Sequence, residues 1–154
     1  MMLNQRTALM VIFIVSLLTI VGAFIFQWMG YEPCPLCYMQ RWAYYAAIPL
    51  SLIIAGIARS NAGIARWGLF LLALIFIANS IFGIYHAGAE WKFWPGPSTC
   101  GGALGEGLPT LTNEPVVRCD EAALRILGLS LAGWNAVICA VLAVVALKGA
   151  SRKV

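Results

Sequence analysis

The sequence predicts an all-α integral membrane protein, a four-helix bundle with one short and one long loop on its outward side. Three observations carry that prediction. Of the 154 residues, 62% are hydrophobic and only 10% charged, where a soluble domain carries about 25% charge. Four stretches hold no charged residue at all: residues 7–30, 42–58, 67–89 and 126–147, of 24, 17, 23 and 22 positions. A hydrocarbon core of about 30 Å takes roughly 20 apolar residues as helix. The first connections are short, which favours up-down-up-down packing.

Helices are expected at about 7–29, 36–58, 67–88 and 127–148 of a single domain covering 1–154, with outward loops at about 30–35 and 89–126. The second apolar stretch is short, so its helix is expected to begin near Pro35. The first is longer than the roughly 7–15-residue apolar region of a signal peptide and is followed by no A-x-A site, so it is expected to stay as an anchor. Asn79, Ser80 and Asn135 are polar groups inside spans and are expected to bond between helices.

Charge orients the bundle. Arg6, Arg59, Arg66, Lys148, Arg152 and Lys153 share one side, while all six acids, Glu32, Glu90, Glu106, Glu114, Asp120 and Glu121, fall on the other. Short loops rich in Arg and Lys mark the cytoplasm, so both termini are expected there. The net charge of +4 is then a topology signal, and no nucleic-acid partner is expected. Trp28, Tyr31, Tyr38, Trp42, Tyr85, Trp91 and Trp94 cluster near the outer interface, where amphipathic rings settle beside lipid headgroups. The long loop, with Pro95-Gly96-Pro97 and Gly101-Gly102, favours turns over a packed core. Asp120 is expected to cap a short amphipathic helix over 121–128.

Of five cysteines, Cys34, Cys37, Cys100 and Cys119 fall on the outward side, which indicates an oxidising compartment. Four cysteines pair in three ways, and spacing alone leaves the choice open. Cys139, among Val137, Ile138, Ala140 and Val141, reads as a buried apolar thiol.

Cys34-Pro35-Leu36-Cys37 is the sharpest signal. Proline suits the first helical position, which makes Cys34 the N-cap and puts Cys37 in the first turn. Unpaired amides at a helix start stabilise a thiolate. Arg41 follows Cys37 by four residues, on the same helix face, and its fixed charge favours an anion or a polarised carbonyl nearby. No metal site is expected, because no second C-x-x-C and no local H-x3-H accompany the pair. A covalent haem would need histidine where Tyr38 stands, and a soluble thioredoxin a βαβ pattern. A purely structural bridge gives no reason for Arg41 beside it. A Cys100–Cys119 bridge would constrain its loop by roughly 3 kcal/mol in the chain-entropy model.

Pro33-Cys34-Pro35-Leu36-Cys37, with Arg41 opening the second helix, resembles the DsbB family of bacterial inner-membrane disulfide-forming enzymes. Pro95-Gly96-Pro97-Ser98-Thr99-Cys100 and Leu127-Gly128-Leu129 leading to Trp134 are similar to that family as well. The resemblance implies a membrane thiol:quinone oxidoreductase that reoxidises a periplasmic DsbA-like dithiol partner and passes electrons to a membrane quinone, ubiquinone or menaquinone. It implies that Cys37 faces the quinone with Cys34 as its partner, that the soluble thiol attacks Cys100, and that Cys119 then exchanges with Cys34. It implies quinone contacts for Arg41 and His86. The short, Gly-rich segment between Cys100 and Cys119 departs from the family and leaves the soluble partner open between a general oxidant and a dedicated one. The rival from another class is a non-catalytic membrane subunit or carrier whose disulfides only staple its loops. A third reading, an enzyme of the vitamin K epoxide reductase type, usually places its C-x-x-C late in the bundle rather than at the second helix.

Overall fold

A computed structural model describes residues 4–97 and 118–151. The chain is helical, with α1 over Gln5–Trp28, α2 over Pro35–Ile57, α3 over Ala62–Glu90 and α4 over Leu131–Ala150. A two-residue hairpin, β1 (Arg125–Ile126) and β2 (Leu129–Ser130), immediately precedes α4. Each helix starts on a side-chain cap. Asn4 accepts from the Thr7 amide, Asn61 from Ile64 and Ser130 from Gly133, while the sulfur of Cys34 takes the Cys37 amide. These caps satisfy amides that have no partner within the helix.

The helices pack in a ring, each against the next in sequence and α4 against α1. One core joins Leu9 and Ile12 of α1, Tyr44 and Ala47 of α2, Leu72 and Phe76 of α3, and Leu142 and Ala146 of α4. The inward stripe of α2 runs Leu36, Gln40, Tyr44, Ala47, Ser51 and Ile54, the three-to-four spacing of a helix seam. Small residues bring α3 and α4 together. A Cβ on Gly83 would stand 3.0 Å from the Ala136 backbone nitrogen, and Ser80 Oγ donates to the Ala136 carbonyl at 2.8 Å. The expectation of interhelical bonds holds for all three polar residues, since Asn79 donates to the Gln40 carbonyl at 3.1 Å and Asn135 accepts from Tyr44 at 2.7 Å. Such close contacts replace the hydrophobic driving force that lipid cannot supply.

The outer surface is apolar instead of charged. Leu18, Leu74, Ile81 and Trp67 are more than 60% exposed, far beyond the isolated apolar side chains of a soluble surface. α1, α3 and α4 are long and apolar enough to cross a membrane. α2 falls outside that set, because Gln40 and Arg41 sit within it and lower its hydropathy.

Two expectations about the segment before α4 fail. Residues 121–128 form no helix. Leu127 (φ 52°) and Gly128 (φ 87°) are both left-handed and join β1 to β2, as a two-residue type I′ turn requires. Trp134 Nε1 ties the hairpin down by donating to the Ile126 carbonyl at 2.9 Å. Asp120 therefore caps nothing; it accepts from Lys92 at 2.6 Å and from Arg118 at 2.9 Å. Arg118 first, then Lys92, holds its carboxyl well below the usual carboxylate range. Helix ends also shift. α3 begins at Ala62, behind the Asn61 cap, and α4 at Leu131, after the hairpin.

Candidate active site

The site is built where α2 begins. Pro33 and Pro35 hold the chain extended at Cys34 (φ −70°, ψ 165°), since a residue before proline avoids helical geometry. The helix then turns Cys37 back over its own cap. The two sulfurs lie 2.7 Å apart, and the Cys37 amide points at Cys34 Sγ from 3.2 Å. Both cysteines are free, whereas Cys119 is disulfide-bonded. Cys119 is fully buried in the same cluster as Cys34 and Leu36, with Cys37 and Phe82 packed against it. Cys100 lies outside the described residues.

The Cys34 thiol is pulled down to about 5, first by its contact with Cys37 and further by His86. Two thiolates this close repel each other, so only one of the pair is ionised at a time. Once Cys34 is tied up covalently, that repulsion is gone and Cys37 is free to ionise.

His86, from α3, is 1% exposed. Its Nε2 lies 3.5 Å from Cys34 Sγ and its Nδ1 2.9 Å from Gln40 Nε2. Glu90, one turn further along α3, approaches Nε2 to 3.7 Å and is itself buried.

Arg41 faces the other way. It is 8% exposed, donates to Gln27 Oε1 at 3.0 Å and lies over the rings of Phe24 and Tyr38, 5.5 and 5.1 Å from their centroids. No carboxylate pairs with it among the described residues. Beside it opens a cavity of about 390 Å³, walled by α1, α2, the hairpin and the start of α4. Ile20, Ala23 and Phe26 form one apolar wall, Trp134 and Ile138 the other, and Cys37, Gln40, Arg41 and Tyr44 line its α2 side. The volume and the few polar groups suit a small planar ligand.

The fold thus joins Cys34, Cys37 and Cys119, with Arg41 on the cavity side. His86 lies 3.5 Å from the sulfur of Cys34 and is not among the residues lining the large cavity. Three neighbours receive no role from the sequence. Gln27 is the only amide in the first apolar stretch, which was its one signal. Gln40 is flagged only by adjacency to Arg41, and Glu90 had no local signal at all. Cys139 also differs from expectation. It is fully buried but bonded, 3.2 Å from both Tyr44 Oη and Asn79 Nδ2, so its pocket is polar and not simply apolar.

A bundle of apolar helices carrying a dithiol at a helix start defines a membrane-helical protein with a paired-thiol site. Comparison with known proteins agrees: the family model for disulfide bond formation protein DsbB matches residues 5–148, and the chain belongs to the DsbB family. A disulfide bond formation protein B of Azoarcus sp. is 28% identical over 86% of this chain and 84% of its own. Disulfide bond formation protein B 2 of Pseudomonas aeruginosa is 35% identical over 69% and 66%. An uncharacterized protein of Rickettsia prowazekii is 25% identical over 82% and 76%. No solved structure matches.

Proposed function

We propose that this chain is a thiol:quinone oxidoreductase of the bacterial inner membrane, reoxidising a periplasmic DsbA-like dithiol and passing two electrons to a membrane quinone. All four helices span the bilayer, both termini are cytoplasmic, and the loops near 30–35 and 89–126 face the periplasm. Arg41 enters the membrane at the outer end of α2, where a long cation reaches the interface. One observation carries the reading: the large cavity has in its wall both a sulfur of the free pair, Cys37, and a guanidinium, Arg41, with no carboxylate partner among the described residues. A ring carbonyl beside them suits this wall, apolar on two sides and cationic on the third.

The chain's own groups supply each step. The partner's thiolate attacks Cys100 of a Cys100–Cys119 bridge, and Cys119 leaves as thiolate. Cys119, already packed against Cys34, attacks it in an oxidised Cys34–Cys37 bridge and expels Cys37 as thiolate. The partner's second thiolate attacks its mixed bridge to Cys100, leaves as a disulfide and frees Cys100, which then attacks Cys119 of the Cys34–Cys119 bridge, re-forming Cys100–Cys119 and releasing Cys34. The Cys34–Cys37 dithiol then closes, giving up two electrons and two protons. The bound quinone supplies the two-electron acceptor. Arg41 stabilises the negative charge that grows on the acceptor oxygen, and Gln27 holds Arg41 in place. His86 Nε2 faces Cys34, positioned to hold the proton that the thiol releases.

The decisive assay gives the purified protein a reduced soluble dithiol partner and a quinone, and follows loss of the quinone. Turnover that Cys37→Ser abolishes and Arg41→Ala lowers is the expected result. A folded wild-type protein that reduces no quinone would overturn the reading and favour a disulfide-stapled subunit.

A further inference from the structure

The geometry points to a second use of the reduced site: Cys34, Cys37, His86 and Glu90 form a binding site for one thiophilic divalent cation of the zinc type. The sequence argues against a metal because C-x-x-C has no local companion. The fold supplies the companions from α3. The two sulfurs and His86 Nε2 all lie within 4.8 Å of one another. In a tetrahedral zinc site, metal–ligand distances of about 2.3 Å to sulfur and 2.0–2.2 Å to nitrogen or oxygen set sulfur and nitrogen about 3.5 Å apart, nitrogen and oxygen about 3.4 Å. Cys34 Sγ is 3.5 Å from His86 Nε2, and Glu90 Oε1 is 3.7 Å from the same nitrogen. Glu90 lies outside that 4.8 Å group, so its side chain must turn toward the sulfurs to complete the set, and the sulfurs themselves stand too close, at 2.7 Å against about 3.8 Å in such a site. Rotation of the Cys37 side chain opens that edge.

Two independent features mark the place as a ligand site. A cavity of about 30 Å³, room for a particle the size of water, is bounded by Cys34, Cys37 and Glu90. Glu90, only 8% exposed, has its Oε2 buried without a hydrogen-bond partner, an arrangement that costs free energy until a cation or donor arrives. Gln40 braces the other ring nitrogen of His86, and a turn of its amide presents an oxygen to Nδ1–H, as the second nitrogen of a ligating histidine requires. Two thiolates and a carboxylate leave one negative charge around a divalent ion, and Arg118 lines the same small cavity.

Binding displaces both thiol protons and requires the reduced pair, because a closed Cys34–Cys37 bridge has no thiolate to offer. The cation holds the sulfurs apart, so it inhibits reversibly. That inhibition rests on the proposed function; binding itself does not.

Cobalt(II) is the probe, added to the reduced full chain in detergent. The wild-type chain is read first, then a Cys100→Ser/Cys119→Ser/Cys139→Ala background that leaves two thiols. The expected result is a thiolate-to-cobalt absorption band saturating at one equivalent, absent from the oxidised protein and lost in Cys34→Ser. His86→Ala and Glu90→Gln each weaken cobalt binding by about tenfold or more, and cobalt raises the melting temperature of the reduced wild type. No thiolate band in the reduced wild type overturns the site, as does a band whose affinity ignores both His86→Ala and Glu90→Gln. Quinone reduction is measured separately with a chelator present. Its loss with the cobalt band intact would count against the proposed function alone, and a missing band with turnover intact against the metal site alone.

Discussion

Two thiol clusters in this protein are almost equally buried and chemically opposite. Cys34 is 4% exposed and Cys139 0%. Cys139 sits in the middle of α4, where every backbone amide is already bonded, and its neighbours Tyr44 and Asn79 are neutral. Cys34 caps a helix, takes an amide hydrogen bond and faces a histidine. Burial therefore does not decide which thiol reacts. Oriented N–H groups and nearby cationic or ionisable side chains decide it, because the thiolate is the reactive form.

The comparison breaks most sharply on Cys34 and Cys37. Cys34→Ser or Cys37→Ser abolishes electron flow to quinone while the helical signal persists; turnover surviving in either variant would move the reaction elsewhere. Arg41→Ala lowers kcat by about 10²–10³-fold, the loss typical of removing one oxyanion-stabilising donor, and an unchanged kcat would relieve Arg41 of that role. Thiolate absorbance of the reduced protein sharpens the contrast. It rises at a lower pH than for an ordinary thiol, because the lowered Cys34 pKa leaves the anion populated where a free thiol is still protonated. His86→Ala shifts the rise upward, and a rise only near pH 8 to 9 would deny Cys34 its special environment. Cys139→Ala costs about 1–2 kcal/mol in thermal or denaturant unfolding, through lost buried hydrogen bonds, and leaves turnover unchanged. The smallest effect is at Asp120, whose partners Lys92 and Arg118 are 59% and 48% exposed. Asp120→Asn costs under about 1 kcal/mol, less in high salt. Its carboxyl is depressed in the folded chain, so that stability is present above the ordinary carboxylate pKa and fades as pH falls toward the lower folded value. Unfolding curves at neutral and acid pH read it.

Much of the site was legible because its core is local. Cys34, Pro35, Cys37 and Arg41 lie within two helical turns, so their mutual placement follows from helix geometry once proline marks the start. Leu127-Gly128 shows how a local pattern misleads: an apolar run after Asp120 reads as helix, yet two left-handed residues turn it into a hairpin. Gln27 reaches the same site from the end of α1 and His86 and Glu90 from α3, far away in sequence, and no spacing rule links different helices.

By itself the sequence determined the apolar helical character and the dithiol at a helix start. Those properties depend on composition and on residues a few positions apart. The tertiary structure alone decided that His86 faces Cys34 and not the large cavity, that Gln27 clamps Arg41, and that a buried carboxylate stands beside the sulfurs. Each of those depends on which faces of α1, α2 and α3 meet, and that is set by the packing of the whole ring of helices.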